Sequence, residues 1–179
     1  MPKITNLHDV FVEQLKDLYN AETQLIKALP KMAKAAHSQE LAHGFEEHLE
    51  QTKGHASRLE KIFKKLDEKP TGKKCKAMEG LIAEGAEAIE ENAAPAAKDV
   101  LLIAAAQRVE HYEIAGYGSV RTFAKLLGEN EAAELLNQTL QEEAETDKKL
   151  TSVAETVNAE AEKGEEEEEE EETLSSSRR

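Results

Sequence analysis

The chain is poor in the residues that build cross-linked, β-rich or membrane-spanning proteins. It carries one cysteine, four prolines, no tryptophan and 4% aromatic residues over 179 positions. A lone Cys75 excludes an internal disulfide framework, a Cys-x-x-Cys redox pair and a cysteine-built metal knuckle. Scarce aromatics argue against a sandwich or barrel, whose strands need them. The longest apolar run, Val100 to Ala106, is far too short to cross a bilayer, and Met1-Pro2-Lys3 opens no signal-peptide pattern. A cytoplasmic protein that does not enter membranes is the expectation. Positive charge is scarce too. There are 23 Lys and Arg against 37 Asp and Glu, a net charge of −14, so the footprint of a nucleic-acid binder is missing.

What the chain does have is alanine, glutamate, lysine and leucine, the composition of long helices. Its length suits one domain with a real core. Half of the net charge lies in residues 160–179, where Glu165 to Glu172 form an unbroken run followed by Ser175-Ser176-Ser177. Such a segment has no apolar surface to bury. The expected division is a helical bundle over residues 1–161 and a disordered acidic tail over 162–179.

Glycine and proline punctuate the bundle into five helical segments. The first runs from about Asn6, a cap with Asp9 three residues on, to the region of Pro30–Ala36. The second follows Ser38 and ends before Pro70-Thr71-Gly72. A short third segment covers Cys75 to Asn92. The fourth begins at Pro95 and ends at Gly128, and the fifth runs from Asn130 to about Ala161. The four long segments carry apolar stripes at alternating spacings of three and four. Short first-to-second and fourth-to-fifth connections imply antiparallel hairpins. The long middle connection, with its own helix, spans the length of the bundle. The expected fold is therefore all-α, a four-helix bundle with one long crossover containing an extra helix. The apolar face of that extra helix, Met78 to Ile89, exceeds what a four-helix core requires, so association as a homodimer is expected.

Each long stripe is interrupted near its middle. Glu22, Glu113 and Glu143 break three of them and Thr52 the fourth. Counted from the hairpin turns, these positions fall at a similar depth. His55, Glu110 and Asp147 lie three or four residues from them, on the same helical faces. Five carboxylates and an imidazole at one level repel one another unless protonated or neutralised. Two cations would neutralise them, and oxygen donors with imidazole suit iron or manganese. The alternative is that some of these side chains turn outward into a polar, hydrated core, which leaves a structural or protein-binding bundle. The only literal Glu-x-x-His, Glu40 with His43, sits about three turns from this level and reads as exposed helix-start polarity. His48 shares the face of His55 and reads as a supporting group at most. His8, His37 and His111 read as surface residues, and Tyr19 and Tyr112 as packing residues close in sequence to the acidic positions.

Four segments in order resemble the YciF-like bacterial stress-protein family of the ferritin-like superfamily. They are Asp17 to Glu22, His48 to His55 with Arg58 to Glu60, Ala106 to Glu113 with Ile114 to Tyr117, and Thr139 to Glu143 with Thr146-Asp147. The resemblance covers about residues 3–160. It implies a ferritin-like bundle, a role in stress and a dinuclear iron or manganese centre with oxygen or peroxide chemistry. By resemblance Glu22 matches the lone glutamate of the first helix, Glu110 and Glu113 the carboxylates of the third long helix, and Glu143 the glutamate of the last Glu-x-x-His. The pattern departs at Thr52-Lys-Gly-His55, which keeps the histidine and loses the glutamate. It departs again at Glu143-Ala-Glu-Thr146, which keeps the glutamate and loses the histidine, with Asp147 next. One cysteine leaves no rubredoxin-type module, so redox turnover would draw on an external electron donor.

Overall fold

The computed structural model describes residues 4–176, with side chains to residue 164. Among the described residues there are five helices and no strand: α1 (Leu7–Ala35), α2 (Gln39–Lys65), α3 (Lys76–Glu90), α4 (Pro95–Leu126) and α5 (Asn130–Ser176). The expected tail, residues 162–179, falls mostly outside the residues whose side chains are described. Helix ends follow local chemistry. The Asn6 carboxamide accepts from the Asp9 N–H at 2.9 Å while the Asp9 carboxylate accepts from the Thr5 N–H at 2.8 Å, two reciprocal caps. Gly128, at φ +77°, ends α4 and lets the Glu129 N–H reach the Ala124 carbonyl at 2.9 Å. Asp67 does the same for α2 at φ +54°, a conformation glycine would adopt with less strain.

α1 packs on α2 and α4 on α5; α1 also meets α4 and α2 meets α5, which closes a four-sided bundle. α3 lies across α1 and α4. This is the all-α ferritin-like bundle with a helical crossover. At Gly116 a Cβ would lie 2.8 Å from Leu18 Cδ2, so the missing side chain lets α1 and α4 approach closely one turn from Glu22.

Two residues at the start of α4 fasten the crossover. The buried Asp99 carboxylate accepts from the backbone N–H groups of His37 and Ser38 at 2.8 and 2.7 Å, tying down the α1–α2 turn. Lys98 Nζ donates to the carbonyls of Ile89, at 2.7 Å, and Glu91, closing the end of α3. Asp99→Ala should leave two backbone N–H groups without their acceptor, a loss of about 2–4 kcal/mol by thermal unfolding. Asp99→Asn, which keeps one acceptor, should lose less.

The apolar interior falls into two blocks. One contains Leu25, Leu29, Leu41, Phe45, Leu102 and Leu150. The other contains Phe11, Leu15, Leu59, Phe63, Val120 and Leu136. Between them lies a layer of buried polar side chains. Of the stripe expected on α2, Phe45, Leu49, Thr52, Ala56, Leu59, Phe63 and Leu66, all but Leu49 and Leu66 are buried, and the inward face is wider than that stripe. It runs through Leu41, Phe45, His48, Thr52, His55, Leu59 and Ile62, whereas Leu49 and Leu66 are only partly buried. On α4 the expected Leu102, Ala106, Val109, Glu113 and Val120 are buried, joined by Glu110, Tyr117 and Ala124, while Phe123 and Leu127 are only partly buried.

Candidate metal centre

All four long helices supply the polar layer. α1 gives Glu22; α2 gives His48, Thr52 and His55; α4 gives Glu110 and Glu113; α5 gives Thr139, Glu143 and Thr146. On α2, α4 and α5 successive site residues are three or four positions apart, so the spacing that buries leucine elsewhere here buries donors.

Two groups of metal-ligating atoms form, each with its atoms within 4.8 Å of one another. His48, Glu110, Glu113 and Glu143 make one; Glu22, His55 and Glu143 make the other, with Glu143 common to both. His55 Nδ1 lies 2.9 Å from Glu143 Oε1 and 3.5 Å from Glu22 Oε1, and His48 Nε2 lies 3.3 Å from Glu110 Oε1. These contacts are close but poorly aligned. Eight buried atoms of the layer have no hydrogen-bond partner: Glu22 Oε2, His48 Nε2, His55 Nδ1, Glu110 Oε2 and both carboxylate oxygens of Glu113 and Glu143. Buried polar atoms are ordinarily paired, since each orphan costs about 1–3 kcal/mol. Eight at one level point to a shared partner.

The outer contacts hold these atoms in place. His55 Nε2 donates to Glu142 Oε2 at 2.8 Å, and Arg58 grips the same carboxylate through both guanidinium nitrogens at 2.6 and 2.7 Å. With Nε2–H so occupied, the other ring nitrogen, Nδ1, faces Glu22 and Glu143 and can ligate an ion once it gives up its proton. Tyr117 donates to Glu22 Oε1. Thr52 Oγ1 donates to the His48 carbonyl at 2.7 Å. Burial, with the negative charge of Glu143 beside Glu110 and of Glu22 beside Glu113, pushes both carboxyls well above the ordinary range. Burial also raises Glu22, against the opposing pull of His55 and Tyr117. For Glu143 burial is outweighed by the His55 contact and the nearby histidines, which hold it low. Burial opposes charge on His55, yet Glu143 and Glu22 push it up to about 10, while burial lowers His48.

Of the six residues expected to gather, Glu22, His55, Glu110, Glu113 and Glu143 lie together in this layer. Asp147 lies outside both groups, at the edge of the bundle, 3.4 Å from His111 Nε2 and bonded to Gln107 at 3.3 Å. His48, read as a supporting group, is instead a member of the larger group. Glu142 and Tyr117 carry roles that spacing did not single out; Tyr117 is exactly one helical turn-plus from Glu113, the signal that was available. Tyr19 and Tyr112 bond elsewhere, to Glu60 and Asp17. Exposed His43 pairs with Glu46 and Glu47, away from the layer.

Residues 6–162 match the family described as "Domain of unknown function (DUF892)". Protein YciF of Escherichia coli (strain K12) is 47% identical over 158 residues, which cover 87% of this chain and 95% of that protein. The crystal structure of the E. coli stress protein YciF superposes with a TM-score of 0.85 at 44% identity, over 87% of this chain and 99% of that one. A dodecameric thioferritin, the bacterioferritin-related protein of Bacteroides fragilis, shares the fold at a TM-score of 0.69 and 17% identity, over 88% of this chain and 91% of that one.

Proposed function

The chain belongs to the DUF892 family of YciF-like proteins, and from that premise we propose that it is a ferritin-like stress-response protein whose core binds a dinuclear iron or manganese centre. The observation that supports this most is the set of eight unpartnered N and O atoms in the polar layer. With their protons displaced, four glutamates and two imidazoles would carry a charge that two divalent cations balance, and a donor set of hard oxygens with imidazole suits iron or manganese. In this reading Glu22 and His55 would hold one ion and His48, Glu110 and Glu113 the other, with Glu143 common to both groups. Asp147 adds acidic charge from the edge.

A bound pair of redox-active cations supplies two electrons for oxygen or peroxide chemistry. The chain's own groups do the rest. Glu142, clamped by Arg58, keeps the His55 proton on Nε2 and so orients the ring. Tyr117 fixes the Glu22 carboxylate and offers a proton at Oη. The apolar block around Phe11, Leu59, Phe63, Val120 and Leu136 closes one side of the layer to bulk water. Electrons come from an external donor, and the protein works as a homodimer. Among the described residues no helix is long and apolar enough to cross a membrane. Elemental analysis of protein produced with iron and manganese in the medium should find about two metal ions per chain; protein free of both metals would contradict the reading.

A further inference from the structure

An apolar cavity leads into the polar layer. About 290 Å³ of space lies in the half of the bundle nearest the α1–α2 turn, and all five helices contribute to its wall. Leu29, Leu41, Phe45, Ile82, Ala106 and Leu150 line it. At its inner end stand His48, Gln51, Glu110 and Thr146; exposed Lys27, Lys31, Glu47 and Lys149 surround its outer end.

Size decides what it suits. A cavity of roughly 150 Å³ already holds benzene, so dioxygen or peroxide would leave most of this one empty. The space fits an organic molecule of about ten heavy atoms, close to the lower end of small-molecule pockets. Polarity decides its orientation. The wall is hydrocarbon, whereas the inner end presents His48 Nε2 and Glu110 Oε2, both buried and both without a hydrogen-bond partner. Glu110 and neighbouring Glu143 disfavour an anion there, so the inner end suits a neutral oxygen that can donate or accept.

We propose that this cavity binds an apolar chain of about eight to ten carbons ending in an alcohol or aldehyde, its oxygen at the inner end of the cavity beside His48 and Glu110. As a substrate pocket it rests on the metal-centre reading; as a binding site it does not. The cheapest probe is 1-octanol, titrated by calorimetry alongside 1-hexanol and 1-heptanol. Affinity should rise about fourfold per added methylene, the increment expected for burying one CH₂. In chelator-treated protein, octanol should shift the imidazole resonances of His48 and leave those of exposed His43 unchanged. Gly44 lies on the wall, and a Cβ there meets nothing within 4 Å. Gly44→Phe should therefore fold with unchanged helicity and metal content while octanol affinity falls at least tenfold.

In chelator-treated protein, octanoate binding more tightly than octanol would place the polar head at the outer lysines and overturn the assignment. Equal octanol affinity in Gly44→Phe, or no rise along the series, would also overturn it. The two readings fail separately. Octanol bound by a protein without metal removes the centre and supports the cavity; metal bound by a protein indifferent to octanol does the reverse.

Discussion

Glu143→Ala should reduce the metal content from about two ions per chain to well below one, with the helices intact by circular dichroism. Glu143 is the residue common to both groups of donor atoms, so its loss weakens both sites together. The helices survive because the two apolar blocks above and below the layer are untouched. Removing a buried carboxylate that has no hydrogen-bond partner also leaves no new orphan on Glu143 itself. Glu40→Ala, at the exposed Glu-x-x-His, should leave metal content unchanged. Glu142→Ala should fall between the two, because it frees the His55 ring and the Arg58 guanidinium without deleting a ligand; a loss of 10- to 100-fold in metal affinity is the scale of such supporting contacts. If the layer is only a polar core of a structural bundle, Glu143→Ala should be neutral or stabilising and should change no metal content.

Chelation should destabilise the parent and mild acid should restore part of the loss. Metal bound only by the native state adds about 4 kcal/mol per ion when free metal exceeds Kd a thousandfold. Removing two ions should therefore lower Tm by roughly 10 °C or more. The metal-free protein then depends on pH through the layer. Glu22, Glu110 and Glu113 are raised in the fold. As pH falls from neutral toward the ordinary carboxylate value, the native state takes up protons that the unfolded chain does not, so stability rises by about 1.4 kcal/mol per pH unit for each proton taken up. Below that value the gain stops. His55, raised to about 10, contributes stability that is fully present below about 6.5 and is lost as pH climbs through 10. His48, lowered by burial, works the other way and costs stability as pH falls below its ordinary value. Glu143, held low, adds a loss in stronger acid. Three raised carboxyls outnumber one lowered histidine, so thermal unfolding of chelator-treated protein should show a maximum near pH 5. The metal-loaded parent should show the opposite slope from pH 7 to 5, because protons then compete with the metal for the ligands.

The fold was legible because its signals are local and repeated. Asn6 with Asp9, Ser38, Pro95 and Gly128 mark helix ends through chemistry that acts within one turn. Much of the layer was legible for the opposite reason. Glu22, Glu113 and Glu143 break apolar stripes at matched depth, and a conflict between burial and charge stands out in sequence. Histidine hides better. His48 shares the face of His55, yet it read as a supporting group at most, because imidazole is ordinary both inside and outside a protein. Glu142, Arg58 and Asp99 were illegible because their roles depend on partners 60 to 90 residues away, which no periodicity reports. Asp147 shows the converse limit. Its spacing from Glu143 puts it on the same face of α5, yet its side chain reaches Gln107 and His111 at the edge of the bundle.

The most direct measurement is anomalous diffraction from crystals of the protein produced in iron- and manganese-containing medium. The account predicts two peaks within the polar layer, one among His48, Glu110, Glu113 and Glu143 and the other among Glu22, His55 and Glu143. A layer with no anomalous peak, its carboxylates bonded only to water and to one another, would contradict it.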